Sequence, residues 1–292
     1  MRVCLMIEGQ EGVTWPQWLA LAQATETAGL EGLFRSDHYR SIVKGEPAGS
    51  LDAWTTLAAL AARTERIRLG TMVSPVTFRP ASVLAKSVVT VDRVSGGRAE
   101  LGIGAGWFES EHDAYGFPFL TTRERLDELD RQLAEINRQW SDDATAIWPK
   151  PVQQPRPNVI VGGGAKPRTV AAAVAHADEY NTTWPSVDEA RERRRIVDEA
   201  AVAAGREPLT ISMMTSCVVG RDDGEVRART TAWRAIVGDT DRPPQIHGTV
   251  DQVVEQLRAY EDAGVERVML QPMAHEDVDM VAVLGEVAAQ LR

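Results

Sequence analysis

Three short stretches of this sequence combine reactive residue types with spacings that suit a bound ligand. The first is Ser36-Asp37-His38-Tyr39. With an unperturbed pKa of about 6.5, an imidazole suits proton transfer at neutral pH, and His38 is the candidate catalytic acid or base. The competing reading is a histidine tied to its neighbour Asp37 for structure. The second stretch is LGIGAGWFESEHDAYG, residues 101–116, where Gly102, Gly104 and Gly106 alternate ahead of polar, helix-forming residues. Within it Glu109 reads as a solvated side chain, whereas Glu111 and His112 can reach a pocket, and Glu111 is the second catalytic candidate. The third is Gly162-Gly163-Gly164-Ala165-Lys166-Pro167-Arg168. Three glycines free the backbone there, and the helix that follows would present unpaired N–H groups to a phosphate.

The alternating glycines are not a dinucleotide fingerprint. GxGxxG places its third glycine three residues after the second and belongs at the first β-α turn. Here the required position is Trp107, and the loop follows the fourth strand-like run. Two explanations stay open: small residues let a flat ring or a phosphate approach the backbone, or they relieve crowding inside a barrel.

The elements that would position these loops alternate along the whole chain. Apolar runs at 3–7, 32–38, 68–73, 98–104, 158–163, 179–184, 209–219 and 267–272 read as eight strands. Helices are expected at 14–28, 53–63, 82–92, 122–139, 167–176, 186–204, 222–236, 250–263 and 277–291. Strict β-α alternation requires a parallel sheet with helical crossovers, and eight units suit an α/β fold of the (β/α)8 TIM-barrel type. An open doubly wound sheet is the rival. No linker composition divides the chain, so residues 1–292 read as a single domain. In a barrel the three stretches fall at strand C-termini, where ligands bind. Trp107 and Trp184 follow the fourth and sixth strands, as pocket walls or as core.

Composition bounds the function classes. With 43% hydrophobic and 25% charged residues the chain reads as a soluble globular protein, and it has no apolar run long enough to span a membrane. Cys4 and Cys217 lie in separate strand-like runs, which argues against a disulfide framework and for a cytoplasmic setting. A net charge of −10 argues against nucleic acid or an anionic membrane as a general partner. His38, His112, His176, His247 and His275 show no metal-ligand spacing, and no metal is expected.

The ordered combination of ATETAGLEGL (24–33), SDHY (36–39), AWTTLAALAARTERIRLGTMVSPVTFRPASVLAK (53–86), VDRVSGGRAELGIGAGWFESEHDAYG (91–116), KPVQQPRPNVIVGGGAKPRTV (150–170) and ADEYN (177–181) resembles the bacterial luciferase-like monooxygenase superfamily. The similarity is greatest to the branch that uses the deazaflavin coenzyme F420. The resemblance implies a (β/α)8 barrel with insertions at its C-terminal face and a flat tricyclic ring lying across the strand ends. It also implies a cis peptide at Met72–Val73 behind the ring, Ala105 and Gly106 along the ring plane, and Gly162, Gly163 and Gly164 on the coenzyme phosphate. The full set of expected coenzyme contacts is Asp37, Met72, Val73, Ala105, Gly106, Trp107, Gly162, Gly163, Gly164 and Lys166. A homodimer is expected on the same ground. Two departures stand out. A glutamate that donates a proton in a sugar-phosphate dehydrogenase of the family is replaced by Trp107. The strand-rich insertion of many relatives is reduced to SDDATAI, which would leave the pocket more open.

The expected activity is that of an oxidoreductase, moving a hydride between F420 and a small organic substrate. The alternative is an FMNH2-dependent monooxygenase that consumes oxygen and draws on a separate flavin reductase; an F420 reductase would play that supplying role in the first case. The coenzyme carries the electron chemistry, and the protein supplies position, dryness and electrostatics. Arg40, Lys44, Arg79, Lys166 and Arg168 fall near presumed strand ends, and such a basic cluster favours the polyanionic tail of F420. From other classes, a sugar-phosphate lyase or isomerase barrel and a non-catalytic flavin-binding barrel remain. A Schiff-base aldolase would place a lysine within a strand end, and none of the four lysines lies in a predicted strand.

Overall fold

A computed structural model describes residues 1–43, 48–143, 147–238 and 243–292, so Lys44 lies outside the described residues. Among the described residues ten parallel strands form: β1 (Arg2–Ile7), β2 (Gly32–Arg35), β3 (Arg68–Thr71), β4 (Ser74–Pro75), β5 (Ala99–Gly104), β6 (Asn158–Gly162), β7 (Glu179–Thr183), β8 (Thr210–Gly220), β9 (Ile246–Thr249) and β10 (Arg267–Gln271). Eight of them close a ring in the order β1-β2-β3-β5-β6-β7-β8-β10, with β10 pairing back onto β1. This is a (β/α)8 barrel, as the alternation of apolar runs requires. The ring order puts β2 opposite β7 and β1 opposite β6.

Two strands depart from the sequence expectation. The run at 68–73 is split by a cis peptide at Met72–Val73, after which the chain resumes as β4 against β5. The segment Ile246–Thr249, between two expected helices, forms β9 along the far end of β8, outside the ring.

The helices are α1 (Trp15–Thr27), α2 (Ala53–Ala61), α3 (Ala81–Ser95), α4 (Glu109–Tyr115), α5 (Thr122–Trp140), α6 (Pro167–His176), α7 (Val187–Ala203), α8 (Asp223–Val237), α9 (Val250–Asp262) and α10 (Val278–Gln290). Several begin as their sequences dictate, with capping boxes at Thr121/Glu124 and Ser186/Glu189. No helix among the described residues is long and apolar enough to cross a membrane.

The main core lies between strands and helices, while Cys4, Met6, Phe34, Met72, Ile160 and Met269 form a smaller one. A charged group fastens the strand starts below it. The buried Arg267 guanidinium binds Glu100 (2.7 and 3.0 Å) and Glu179 (3.1 Å) and lies over the Phe34 ring. Burial would raise the Glu100 pKa, but the charge and hydrogen bonds of Arg267 bring it down to about 2. Removing one partner of such a group costs about 3–5 kcal/mol, which marks this end of the barrel as the stabilising one.

Candidate active site at the barrel mouth

His38 follows β2 at the mouth and is mostly buried. Its Nδ1 lies 2.8 Å from Oε2 of Glu111, whose side chain is 0% exposed. A carboxylate accepts, so Nδ1 carries the proton. Nε2 makes no hydrogen bond among the described residues and is the nitrogen left for a ligand. Burial alone would favour the neutral imidazole. The hydrogen bond and charge of Glu111, with the charges of Glu8 and Asp37, outweigh it and hold the His38 pKa above its ordinary value.

Glu111 does more than face His38. Its other oxygen accepts the backbone N–H groups of Tyr39 (2.5 Å) and Arg40 (2.9 Å), so one carboxylate fixes three successive residues of the β2 loop. Beside it, Glu11 does the same for the next residues, accepting from Ser41 Oγ and from the N–H groups of Ile42 and Val43. The loop bearing His38 is thus held between two acidic side chains supplied by different strand ends.

The element that brings Glu111 into place is α4, a two-turn helix that sequence reasoning left as loop. Its residues Glu111 and His112 are buried and reach different loops. His112 Nδ1 donates to the Phe108 carbonyl (2.8 Å), and the Thr77 hydroxyl meets Nε2 at 2.7 Å. Both ring nitrogens of His112 are engaged, so it fastens the β4 loop to α4. Glu109 is exposed, as expected of a solvated side chain.

Asp37 is buried, and its oxygens accept from Ser74 Oγ (2.6 Å) and from both terminal nitrogens of Arg79 (2.6 and 3.1 Å). Arg79 also binds Asp52 (2.6 Å). His38 is therefore not tied to its neighbour Asp37; the acid that holds it is distant in sequence. This also corrects the count of cations available to an anionic ligand. Arg79 is neutralised by two carboxylates, and Arg168 lies in the first turn of α6, paired with Asp127 at 2.6 Å. Arg40 donates to the Ser110 carbonyl. Lys166 is exposed and has no ion pair among the described residues.

Two of the three alternating glycines make room for the barrel itself. A Cβ on Gly102 would stand 2.0 Å from the Thr71 carbonyl oxygen, and one on Gly104 would stand 2.7 Å from Val73 Cγ2. Gly106 differs: its φ of 79° is in the left-handed region, and it sits with Ala105 half-buried at the mouth. Trp107 is 60% exposed and Trp184 57% exposed, so neither is core. Trp107 stacks on Phe108 with ring centroids 5.1 Å apart.

At the end of β6, Gly162 and Gly163 are half-buried and Gly164 is exposed, with nothing within 4 Å of where its Cβ would be. The Tyr180 hydroxyl accepts the Ala165 N–H at 2.9 Å and shapes the turn. Among the described residues the N–H groups of Gly164, Arg168 and Thr169 have no acceptor. Open space, unpaired donors, a helix N-terminus and Lys166 together fit a phosphate. Met72 is buried and Val73 half-buried behind the glycine strand, on either side of the cis peptide.

Sequence reasoning missed Glu8 and Gln271, at the ends of β1 and β10. Gln10 Nε2 donates to one Glu8 oxygen at 2.7 Å, and Gln271 Nε2 donates to the other. Their positions directly after apolar runs were the available signal. The opposite end of the barrel holds a cavity of about 760 Å³ lined by Met1, Arg2, Arg194 and Glu261 among others. Its charges pair with one another, as Met1 with Glu261 (2.6 Å) and Arg194 with Glu266 (2.7 Å). The chemistry-bearing loops are all at the mouth.

The model of the luciferase-like monooxygenase family matches residues 3–245. The chain belongs to that family. Among curated relatives, this luciferase-like protein is 29% identical to the F420-dependent hydroxymycolic acid dehydrogenase of Mycobacterium tuberculosis, over 86% of this chain and 70% of the relative. It is 26% identical to the FMNH2-dependent dimethylsulfone monooxygenase of Pseudomonas putida, over 80% of this chain and 65% of the relative. Among solved structures, the monooxygenase RslO1 of Streptomyces bottropensis superposes with a TM-score of 0.82 at 22% identity, covering 100% of this chain and 99% of that one. The family thus contains both F420-dependent oxidoreductases and flavin monooxygenases.

Proposed function

We propose that this luciferase-like protein is an F420-dependent oxidoreductase that reduces a carbonyl-type or otherwise polarised unsaturated substrate at the barrel mouth. The observation that carries this reading is the His38–Glu111 pair, a buried carboxylate fixing a histidine whose Nε2 is left for the ligand. The glycine turn at 162–164, the α6 N-terminus and Lys166 would hold the coenzyme phosphate; Ala105, Gly106 and the Met72–Val73 segment would lie along its ring. When bound in reduced form, the coenzyme supplies a hydride. His38 Nε2 supplies the proton to the substrate atom that gains charge, and Glu111 stabilises the imidazolium beforehand and orients it. Because the raised His38 pKa favours the proton-loaded ring, the pair is poised for donation more than for abstraction. Glu111 touches His38 and not the mouth, so its role is positioning.

The F420-dependent dehydrogenase relative supports the coenzyme assignment, and the monooxygenase relative favours a second reading in which FMNH2 and oxygen are used. Either coenzyme needs a partner reductase to regenerate it. Buried, unpaired Cys4 and Cys217 agree with a reducing, cytoplasmic setting. The two readings separate in one assay. Reduced F420 and FMNH2 are each offered with a panel of ketones, aldehydes and enones while oxygen uptake is recorded. The proposal expects F420 oxidation that depends on substrate and also proceeds without oxygen. Oxygen uptake that requires FMNH2, with F420 inert, would overturn it.

A further inference from the structure

Trp184 is held in an unusual way for a side chain that contributes nothing to the core. Its φ of 42° lies in the left-handed region, which aromatic L-residues rarely enter. Among the described residues, the one other non-glycine residue with a positive φ is Ala165, at the end of the adjacent strand β6. The turn around Trp184 is braced from several sides. Its N–H donates to the Met214 carbonyl (2.9 Å). The carbonyl of the buried Pro185 accepts the Tyr260 hydroxyl (2.8 Å) and the Gln245 side-chain amide. Arg193 donates to Thr182 Oγ1 and to the Thr183 carbonyl. This framework presents an indole to solvent, and strained backbone of this kind gathers at ligand sites.

The position of that indole is informative. β7 and β2 are four strands apart in an eight-membered ring, so Trp184 stands across the mouth from His38. On the His38 side lie Trp107 and Phe108, each with its ring about edge-on to the imidazole at 5.8 and 6.0 Å. The mouth therefore carries large aromatic surfaces on opposing sides. Among the described residues, Arg79 and Arg168 are paired with carboxylates, Glu8 ends β1, and Lys166 belongs to the glycine turn.

We propose that the substrate bears a flat, largely apolar ring, which packs against Trp184 with its reacting end toward His38. The proposal rests on the mouth being the active site, and it holds for either coenzyme.

The test uses naphthol and its saturated counterpart decahydronaphthol as probes, measured by equilibrium dialysis against the full-length protein with and without coenzyme. Wild type should bind naphthol about tenfold more tightly than decahydronaphthol, since the saturated ring cannot stack on the indole. Trp184→Gly should weaken naphthol binding about tenfold, the scale of a lost aromatic stack and its buried area. The same variant should keep its coenzyme affinity and melt at the same temperature or higher, because glycine accepts a positive φ. A merely structural tryptophan would give the reverse pattern. Trp148→Ala, which removes an exposed tryptophan outside the mouth, should leave naphthol binding unchanged. Decahydronaphthol binding as tightly as naphthol, or unchanged naphthol affinity in Trp184→Gly, would overturn the proposal. If wild type bound neither F420 nor FMN, the coenzyme reading would fail on its own, while the probe comparison in the coenzyme-free protein would still decide this one.

Discussion

Replacing Glu111 with glutamine tests the arrangement around His38 with little change in shape. In the native protein one oxygen accepts from His38 Nδ1 at 2.8 Å and the other from the Tyr39 and Arg40 N–H groups, with no part of the side chain exposed. An amide has one acceptor oxygen. Turned one way, its NH2 group meets the Tyr39 and Arg40 N–H donors; turned the other, it meets His38 Nδ1, which must give up its proton to accept, so either way at least one charge-assisted bond is lost. Such bonds contribute about 1.5–3 kcal/mol each, and a loss of stability of that size is expected in urea denaturation at neutral pH. The pH dependence carries the sharper signature. In the wild type the folded His38 pKa is raised above the unfolded value of about 6.5, so its contribution to stability is fully present below that pH. It is lost as pH rises through the folded pKa. In Glu111→Gln that contribution should disappear, leaving burial to push the imidazole toward neutrality. Titration of the His38 Cε1 proton by NMR should show the variant losing its proton at lower pH than wild type. An unchanged His38 titration, with stability falling equally at pH 5 and pH 9, would refute the reasoning and leave Glu111 as a loop anchor alone.

Other consequences follow from contacts on either side of the mouth. Arg79→Ala leaves Asp37 buried without its ion pair, and a loss of about 3–5 kcal/mol is expected in thermal or urea unfolding. Gly102→Ala drives a Cβ into the Thr71 carbonyl and should destabilise by about 1–3 kcal/mol or prevent folding. Gly164→Ala meets nothing within 4 Å and should melt with the wild type. Lys166→Ala should leave the melting temperature unchanged, weaken coenzyme binding, and flatten the dependence of that binding on ionic strength.

The barrel was legible because strand and helix alternate eight times, each strand as an apolar run that a parallel sheet buries on both faces. β9 was not, since Ile246–Thr249 lies outside the ring and pairs along β8 where no repeating pattern is needed. α4 was hidden for a related reason. Its sequence ESEHDAY has no apolar stripe, and its buried residues Glu111 and His112 are polar side chains held by hydrogen bonds to distant loops. His38 could be picked out by type, but not its partner's role, because Glu111 is 73 residues away. The same distance problem misled the count of cations. Arg79 looks available in sequence, while its acids Asp37 and Asp52 lie 42 and 27 residues away and meet it only in the fold. The alternating glycines show the limit of motif reading, since Gly102 and Gly104 serve the packing of β3 and β4 and only Gly106 is left at the mouth.

The measurement that bears most directly on the central claim is a calorimetric titration of the purified protein with F420 and with FMN, in both redox states, repeated on Lys166→Ala. The account predicts tight F420 binding, weaker FMN binding, and an F420 affinity that falls in the variant. Tight FMN binding with little affinity for F420 would transfer the protein to the flavin monooxygenases. Equal F420 affinity in wild type and variant would contradict the placement of the coenzyme phosphate at the β6 turn.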